Sequence, residues 1–429
     1  MVRAAIERLP DLVPGADVIA AVLLGGGEKL AGPLEVGVPV IEGRTAHEAL
    51  ATGLARFDPE LIFDLSDEPV VDARSRLRLA TQALLAGVAY QGADFRLDPP
   101  PRPKVATKPT VAVIGTGKRT GKTAVSAQLA RALALDGRPP VVVAMGRGGP
   151  PEPELIDPHR FDLSAAGLVA LAASGRHAAS DHLEDALMAR VVTIGTRRCG
   201  GGLAGAPVDS TFAAGVELAN GRPESLLVLE GSGAAVPPVH ADATVCVVPA
   251  TADPELVAGY LGAYRVLLAD LVVITMAEQG GGPVTDAIRR VAPAVDIVET
   301  VLRPFPLEPI SGRRVFYVTT APSTAGDVLT AHLEDRHGAK VLGTSHNLAR
   351  RPQLADDLGQ MHGADIMLVE LKAAGVDMAA RVALERGIDV VFCDNRVVTT
   401  GGGDTFESLV LKTATRAEKR FAESSRVRQ

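Results

Sequence analysis

Val111-Ala112-Val113-Ile114-Gly115-Thr116-Gly117-Lys118-Arg119-Thr120-Gly121-Lys122-Thr123 runs from apolar residues into glycine and then into Gly-Lys-Thr. A β-branched run that breaks in this way predicts a strand delivering a phosphate-binding loop to a helix. Backbone N–H groups of such a loop converge on polyphosphate, and the helix N-terminus adds partial positive charge. Lys122 is then the residue that reaches the β/γ oxygens, and the Thr123 hydroxyl is a Mg²⁺ ligand. Gly115, Thr116, Gly117, Thr120, Gly121, Lys122, Thr123 and Ala124 are the expected nucleotide contacts. The pattern departs from G-x-x-x-x-G-K-[ST], because Thr116 stands where the first glycine belongs and Gly115 comes one residue earlier. Context carries the reading: the helix expected from Ala124 to Leu135 is stopped by Asp136-Gly137. Lys118 and Arg119 inside the loop point to a large anionic load.

Around this loop the chain reads as α/β. Its 429 residues exceed one ordinary core, and an apolar fraction of 47% supports buried sheets. A net charge of −7 argues against nucleic acid as a partner, and no basic block interleaves with aromatics. No run of eighteen uncharged apolar residues occurs and no basic-then-apolar leader opens the chain, so a cytoplasmic protein with no membrane partner is expected. The three cysteines are far apart, which fits reduced thiols.

Proline-rich stretches suggest three α/β domains: residues 1–104 (substrate binding), 108–306 (the P-loop domain, with a mainly parallel sheet) and 310–429 (a lid or an accessory domain). Asp98-Pro99-Pro100-Pro101-Arg102-Pro103 reads as a linker, and Arg303-Pro304-Phe305-Pro306 as the end of the middle block. Apolar runs at Pro140 to Met145, Ser225 to Leu229, Ala243 to Val248 and Leu271 to Met276 look like strands buried on both faces.

Further along the middle block, Leu226-Leu227-Val228-Leu229-Glu230-Gly231-Ser232-Gly233 ends an apolar strand in a carboxylate. A carboxylate at the C-terminal tip of a strand beside the phosphate loop is placed to ligate Mg²⁺, as Glu230. Glu152 or Glu154 is a further candidate for the metal shell, an exposed turn being the alternative. Arg147, after the strand at Pro140, projects from the edge where open α/β sheets bind ligands. Arg197 and Arg198, expected on a mobile glycine-rich loop after Val191 to Ile194, are candidates to clamp a phosphate together. Lys118, Arg119, Lys122, Arg147, Arg197 and Arg198 thus form the expected cationic set. In the first block, Leu23-Leu24-Gly25-Gly26-Gly27-Glu28-Lys29 and Asp64-Leu65-Ser66-Asp67 precede a helix on which Arg74 and Arg78 share a face. Glu28, Lys29, Asp67 and Arg74 are the substrate candidates there. From the residues alone two classes stay open: an ATP enzyme activating a small anionic metabolite, and a dimeric P-loop ATPase acting as a nucleotide-driven switch with Lys118 crossing the dimer interface.

GT-x-x-x-x-GKT followed by EG-[SA]-G…P resembles dethiobiotin synthetase and its relatives. The fuller order GGGEK, DLSDEPV, GVAYQGADFRLDPP, GTGKRTGKT, AMGRGGP, GTRRCGGGLAG and EGSGAAVPP resembles the cyclic 2,3-diphosphoglycerate synthetase family. That resemblance implies ATP- and Mg²⁺-dependent closure of a phosphoanhydride between the two phosphates of 2,3-bisphosphoglycerate. It also implies a homodimer, by analogy with the P-loop relatives.

Overall fold

Val111 to Ile114, Val141 to Met145 and Leu226 to Leu229 present apolar side chains to both sheet faces, and all are buried to 1% exposure or less. Such runs can only lie inside a sheet covered on both sides. In the computed structural model, which describes residues 2–25, 34–174, 181–372 and 375–426, they do so. The chain forms two compact units, residues 1–101 with 252–268 and 286–293, and residues 102–251 with 269–285 and 294–429.

The larger unit is built on one 13-stranded sheet. Its order is Asp209–Ser210, Thr193–Cys199, Pro140–Gly146, Leu226–Glu230, Thr110–Gly115, Ala243–Pro249, Leu271–Thr275, Asp296–Pro306, Asp389–Thr399, Ile366–Glu370, Arg314–Val318 and Lys340–Ser345. Glu154–Ile156 pairs off this path with Thr193–Cys199. Neighbours from Thr193–Cys199 to Asp296–Pro306 pair in parallel. The strand ending in Glu230 therefore lies directly beside the P-loop strand, Glu230 opposite Val113. That is the carboxyl edge where such sheets bind ligands.

Arg303-Pro304-Phe305-Pro306 is not a connector. It continues the strand Asp296–Pro306, pairing antiparallel with Asp389–Thr399, Arg303 opposite Arg396. Only residues 296–299 pair with Leu271–Thr275, so Pro304 and Pro306 sit where the strand has one partner and a missing N–H is tolerated. The strand ends at Pro306, and its pairing with Asp389–Thr399 makes one sheet of strands from both sides of residues 306–310. The closing helix Phe406–Arg426 returns to the P-loop helix Lys122–Leu135, where Phe406, Leu409, Val410 and Ala414 share a core with Val125, Leu129 and Leu133. Each fully buried leucine or phenylalanine there contributes roughly 1.5–3 kcal/mol.

The smaller unit holds the helices Ala46–Phe57 and Ala73–Leu85 over the short strands Leu61–Phe63, Ala89–Gln91 and Arg96–Leu97. Leu50, Leu79, Ala83 and Tyr90 form its core. Asp64 is held by Arg76 Nε at 2.9 Å, the Tyr90 hydroxyl at 2.9 Å and the Ser66 N–H at 2.7 Å.

Candidate active site

The P-loop spans the end of the strand Thr110–Gly115 and the first residues of the helix Lys122–Leu135. Gly121 caps that helix at φ +84°, and Arg119 also adopts a left-handed φ of 59°. Left-handed residues alternating with ordinary ones turn successive N–H groups toward one concave side, which is the geometry of an anion-binding nest. Arg119 accepts backbone strain there that glycine would avoid. The displaced first glycine has a structural reason. A Cβ on Gly115 would come within 2.9 Å of Thr120 Oγ1, so the Thr120 side chain packs against a bare backbone there.

Lys122 and Glu230 meet at 3.0 Å, both buried, at 8% and 1% exposure. Burial by itself would push the Glu230 carboxyl up. The Lys122 charge and contacts with Asp185, Lys122 and Thr123 outweigh it and hold the group below its ordinary value. Glu230 Oε2 is buried yet receives no well-directed hydrogen bond.

Asp185, with no exposed surface, is the candidate site residue that sequence reasoning missed. It lies on the helix Asp181–Ala189 and stands against Glu230 together with Thr123. Two touching carboxyls favour a shared proton or a cation between them. The signal available was a carboxylate set among Leu183, Ala186 and Leu187, where an acid has no solvent to face. Among the described residues no three His, Cys, Asp or Glu converge on a metal site. Mg²⁺ at a phosphate loop needs fewer protein ligands, because phosphate oxygens and water complete its shell. Thr123, Glu230 and Asp185 fit such an ion. Glu152 is exposed, and Glu154 lies on its own short strand, 3.4 Å from His182 Nε2.

The cationic residues divide. Lys118, Arg119 and Arg147 are exposed. Arg197 and Arg198 do not form a clamp, because the strand Thr193–Cys199 runs on through both, and consecutive strand residues point to opposite faces. Arg197 is exposed and donates to the Gly149 carbonyl at 2.9 Å. Arg198 is 4% exposed and donates to the Ser232 carbonyl at 2.8 Å. Gly233 separates Arg198 from the P-loop: a Cβ there would lie 3.4 Å from an Arg198 nitrogen and 3.5 Å from Lys118 Cγ. The Glu-Gly-Ser-Gly turn thereby gathers Glu230, Arg198 and Lys118 on one edge.

In the smaller unit Arg74 forms an ion pair with Glu255 at 2.8 Å. The Asp67 side chain accepts from the Glu68 N–H at 2.8 Å. Glu28 and Lys29 lie outside the described residues.

A strand, a nest of left-handed residues, a helix opening on Lys-Thr and a strand-end carboxylate paired to the lysine define a P-loop nucleotide-binding protein. Three family models locate it further: "Cyclic 2,3-diphosphoglycerate synthetase, P-loop domain" matches residues 110–301, the family's C-terminal domain matches 306–396 and its N-terminal domain matches 1–98. Curated relatives named cyclic 2,3-diphosphoglycerate synthetase include that of Rubrobacter xylanophilus, 47% identical over 90% of this chain and 89% of that protein. Those of Thermococcus onnurineus and Methanothermus fervidus are 47% and 42% identical, over 93% and 92% of this chain and 94% and 89% of theirs. The chain belongs to the cyclic 2,3-diphosphoglycerate synthetase family and is an enzyme, a P-loop synthetase. Among solved structures, signal recognition particle receptor FtsY from Elizabethkingia anophelis aligns over 59% of this chain and 70% of its own at 11% identity, with a TM-score of 0.25. That likeness is too slight to carry an argument.

Proposed function

We propose that the enzyme uses Mg-ATP to close an intramolecular phosphoanhydride in 2,3-bisphosphoglycerate, giving cyclic 2,3-diphosphoglycerate, ADP and phosphate. The relatives' names support the product. The observation that carries the chemistry is the buried Lys122–Glu230 pair at the mouth of the P-loop, flanked by more cationic side chains than a nucleotide alone requires. On this reading Lys122 leaves Glu230 for the β/γ oxygens when nucleotide arrives. Glu230, with Thr123 and Asp185, is thereby left to hold Mg²⁺, which supplies charge neutralisation on the phosphates.

Joining two phosphates of one molecule requires bringing anions together and turning one oxygen into a leaving group. Lys118, Arg119, Arg147 and Arg198 are suited to the first task. The γ-phosphoryl of ATP performs the second by passing to one substrate phosphate, which the other then attacks, expelling phosphate. Intramolecular attack gains several kcal/mol from proximity when geometry is right. The protein's contribution is positioning and charge neutralisation, and no general base is needed. The reading extends to a homodimer in the cytoplasm, whose mass light scattering would give.

The test is ³¹P NMR of the protein with Mg-ATP and 2,3-bisphosphoglycerate. A new anhydride resonance alongside ADP and phosphate, absent with Lys122→Ala, is the expected result. ATP binding without that resonance would overturn the substrate and leave another small anionic metabolite as the acceptor.

A further inference from the structure

The helix Asp181–Ala189 has nine residues, too few to hold its own position in water, yet it carries Asp185 to Glu230. Its placement must come from what packs around it. Residues His182 through Ala189 are all buried. Leu183, Ala186 and Leu187 share a core with Val318, Met367, Val369, Leu371 and Phe392 from the C-terminal strands.

Two polar ties fix the helix more specifically. Glu184, 4% exposed, pairs with Lys372 Nζ at 3.1 Å. Lys372 follows the strand Ile366–Glu370, whose last carboxylate is anchored by the Thr320 N–H and hydroxyl and by Asn395. At the other end the Met188 carbonyl accepts from Arg131 on the P-loop helix at 2.9 Å. Arg131 in turn pairs with the fully buried Asp394 on the strand Asp389–Thr399 at 2.7 Å.

We propose that the C-terminal block is a fixed buttress for this acidic helix, and that Lys372 is a positioning residue that holds Asp185 against Glu230 through Glu184. The inference rests on the reading of Asp185 and Glu230 as metal-holding groups. It does not depend on which acceptor the enzyme phosphorylates.

The test uses the full-length protein with ADP and Mn²⁺, reading metal binding by electron paramagnetic resonance. Lys372→Met is expected to weaken Mn²⁺ binding about 10–100-fold while metal-free ADP affinity stays within about twofold of the parent. Amide hydrogen exchange across residues 183–189 in metal-free protein should rise. Lys372→Arg should restore both. The double variant Glu184→Gln/Lys372→Met, which removes both charges of this pair together, keeps the fold available and should show the same metal loss. Parent-like Mn²⁺ binding and exchange in the double variant would overturn the proposal, as would equal loss of ADP and metal. Unchanged Mn²⁺ binding in Asp185→Asn would instead sink the metal reading beneath it. A missing cyclic product with Lys372 effects intact would sink only the substrate.

Discussion

Two glutamates in this molecule end buried parallel strands in almost the same way: Leu226-Leu227-Val228-Leu229-Glu230 and Ile366-Met367-Leu368-Val369-Glu370. Both are nearly inaccessible, at 1% and 3% exposure. Their surroundings differ. Glu370 has both oxygens engaged by neutral donors, Thr320 on one and Asn395 on the other. Glu230 has one oxygen on a lysine that a phosphate can draw away, and the other without a well-directed donor. A carboxylate held by neutral donors fixes structure, whereas one paired to a lysine at the phosphate loop is the candidate binding group. The partners create the difference: Lys122 reaches Glu230 from the phosphate loop, whereas Thr320 and Asn395 on neighbouring segments meet Glu370.

The largest contrast should come from breaking the ion pair. Lys122→Met strands a buried carboxylate, so the nucleotide-free protein should lose about 3–5 kcal/mol of unfolding free energy, and turnover should fall by about 10³-fold. Chemical denaturation and ³¹P NMR read the two effects. The double variant Lys122→Met/Glu230→Gln should recover most of the stability and none of the turnover. If it recovers neither, the pair is not an isolated electrostatic unit.

Glu230→Gln and Glu370→Gln should separate function from structure. The first should cut turnover about 10–100-fold through weakened metal binding, and it should also lower the denaturation midpoint, because Lys122 is left buried beside a neutral amide. The second should cost about 1–3 kcal/mol, because a buried donor loses its acceptor, while turnover at saturating ATP stays within a few-fold of the parent. A catalytic collapse in Glu370→Gln without loss of stability would erase the distinction.

Acid sharpens the comparison further. The Glu230 carboxyl titrates below its ordinary value in the folded protein, so its ionisation stabilises the fold above the unfolded pKa of about 4.3. That stabilisation is lost as pH falls from there through the lower, folded value. Denaturation between about pH 5 and pH 3 should therefore be less steep in pH for Glu230→Gln than for the parent. An unchanged slope would mean that Glu230 is not held ionised by Lys122.

Much of this contrast is visible in one dimension. The P-loop and the apolar strand ending in Glu230 are local patterns, because strand, turn and helix cap are set by neighbouring residues. What escaped was set by residues far away. The strand through Arg197 and Arg198 looks as if it should end at Gly195. That glycine instead makes room for a helix: a Cβ there would fall 2.5 Å from His182 Cγ. The strand continues, and the two arginines part to opposite faces. The local pattern around Asp185 shows only that it is an acid among apolar residues, and not which groups it meets, because Thr123 and Glu230 are far away in the chain. Arg303 to Pro306 has the composition of a connector, and only its pairing with Asp389–Thr399 shows it to be a one-sided strand.

The smallest expected effect concerns the thiols, and it probes the Glu370 side of the comparison. Cys393 lies opposite Glu370 in the sheet register. Burial, with Glu370 and Asp394 nearby, pushes its thiol well up, and a thiol kept protonated and enclosed is a poor nucleophile. Cys246 is buried as well, while Cys199 is exposed. Iodoacetamide at pH 8 should therefore modify Cys199 and spare the other two in the native protein, by peptide mass spectrometry. In Glu370→Gln the nearby negative charge is gone but the enclosure remains, so Cys393 should stay protected until denaturant unfolds the sheet, at a midpoint lower than the parent's. Modification of Cys393 in the native variant would show that the Glu370 charge, and not burial, kept that thiol inert.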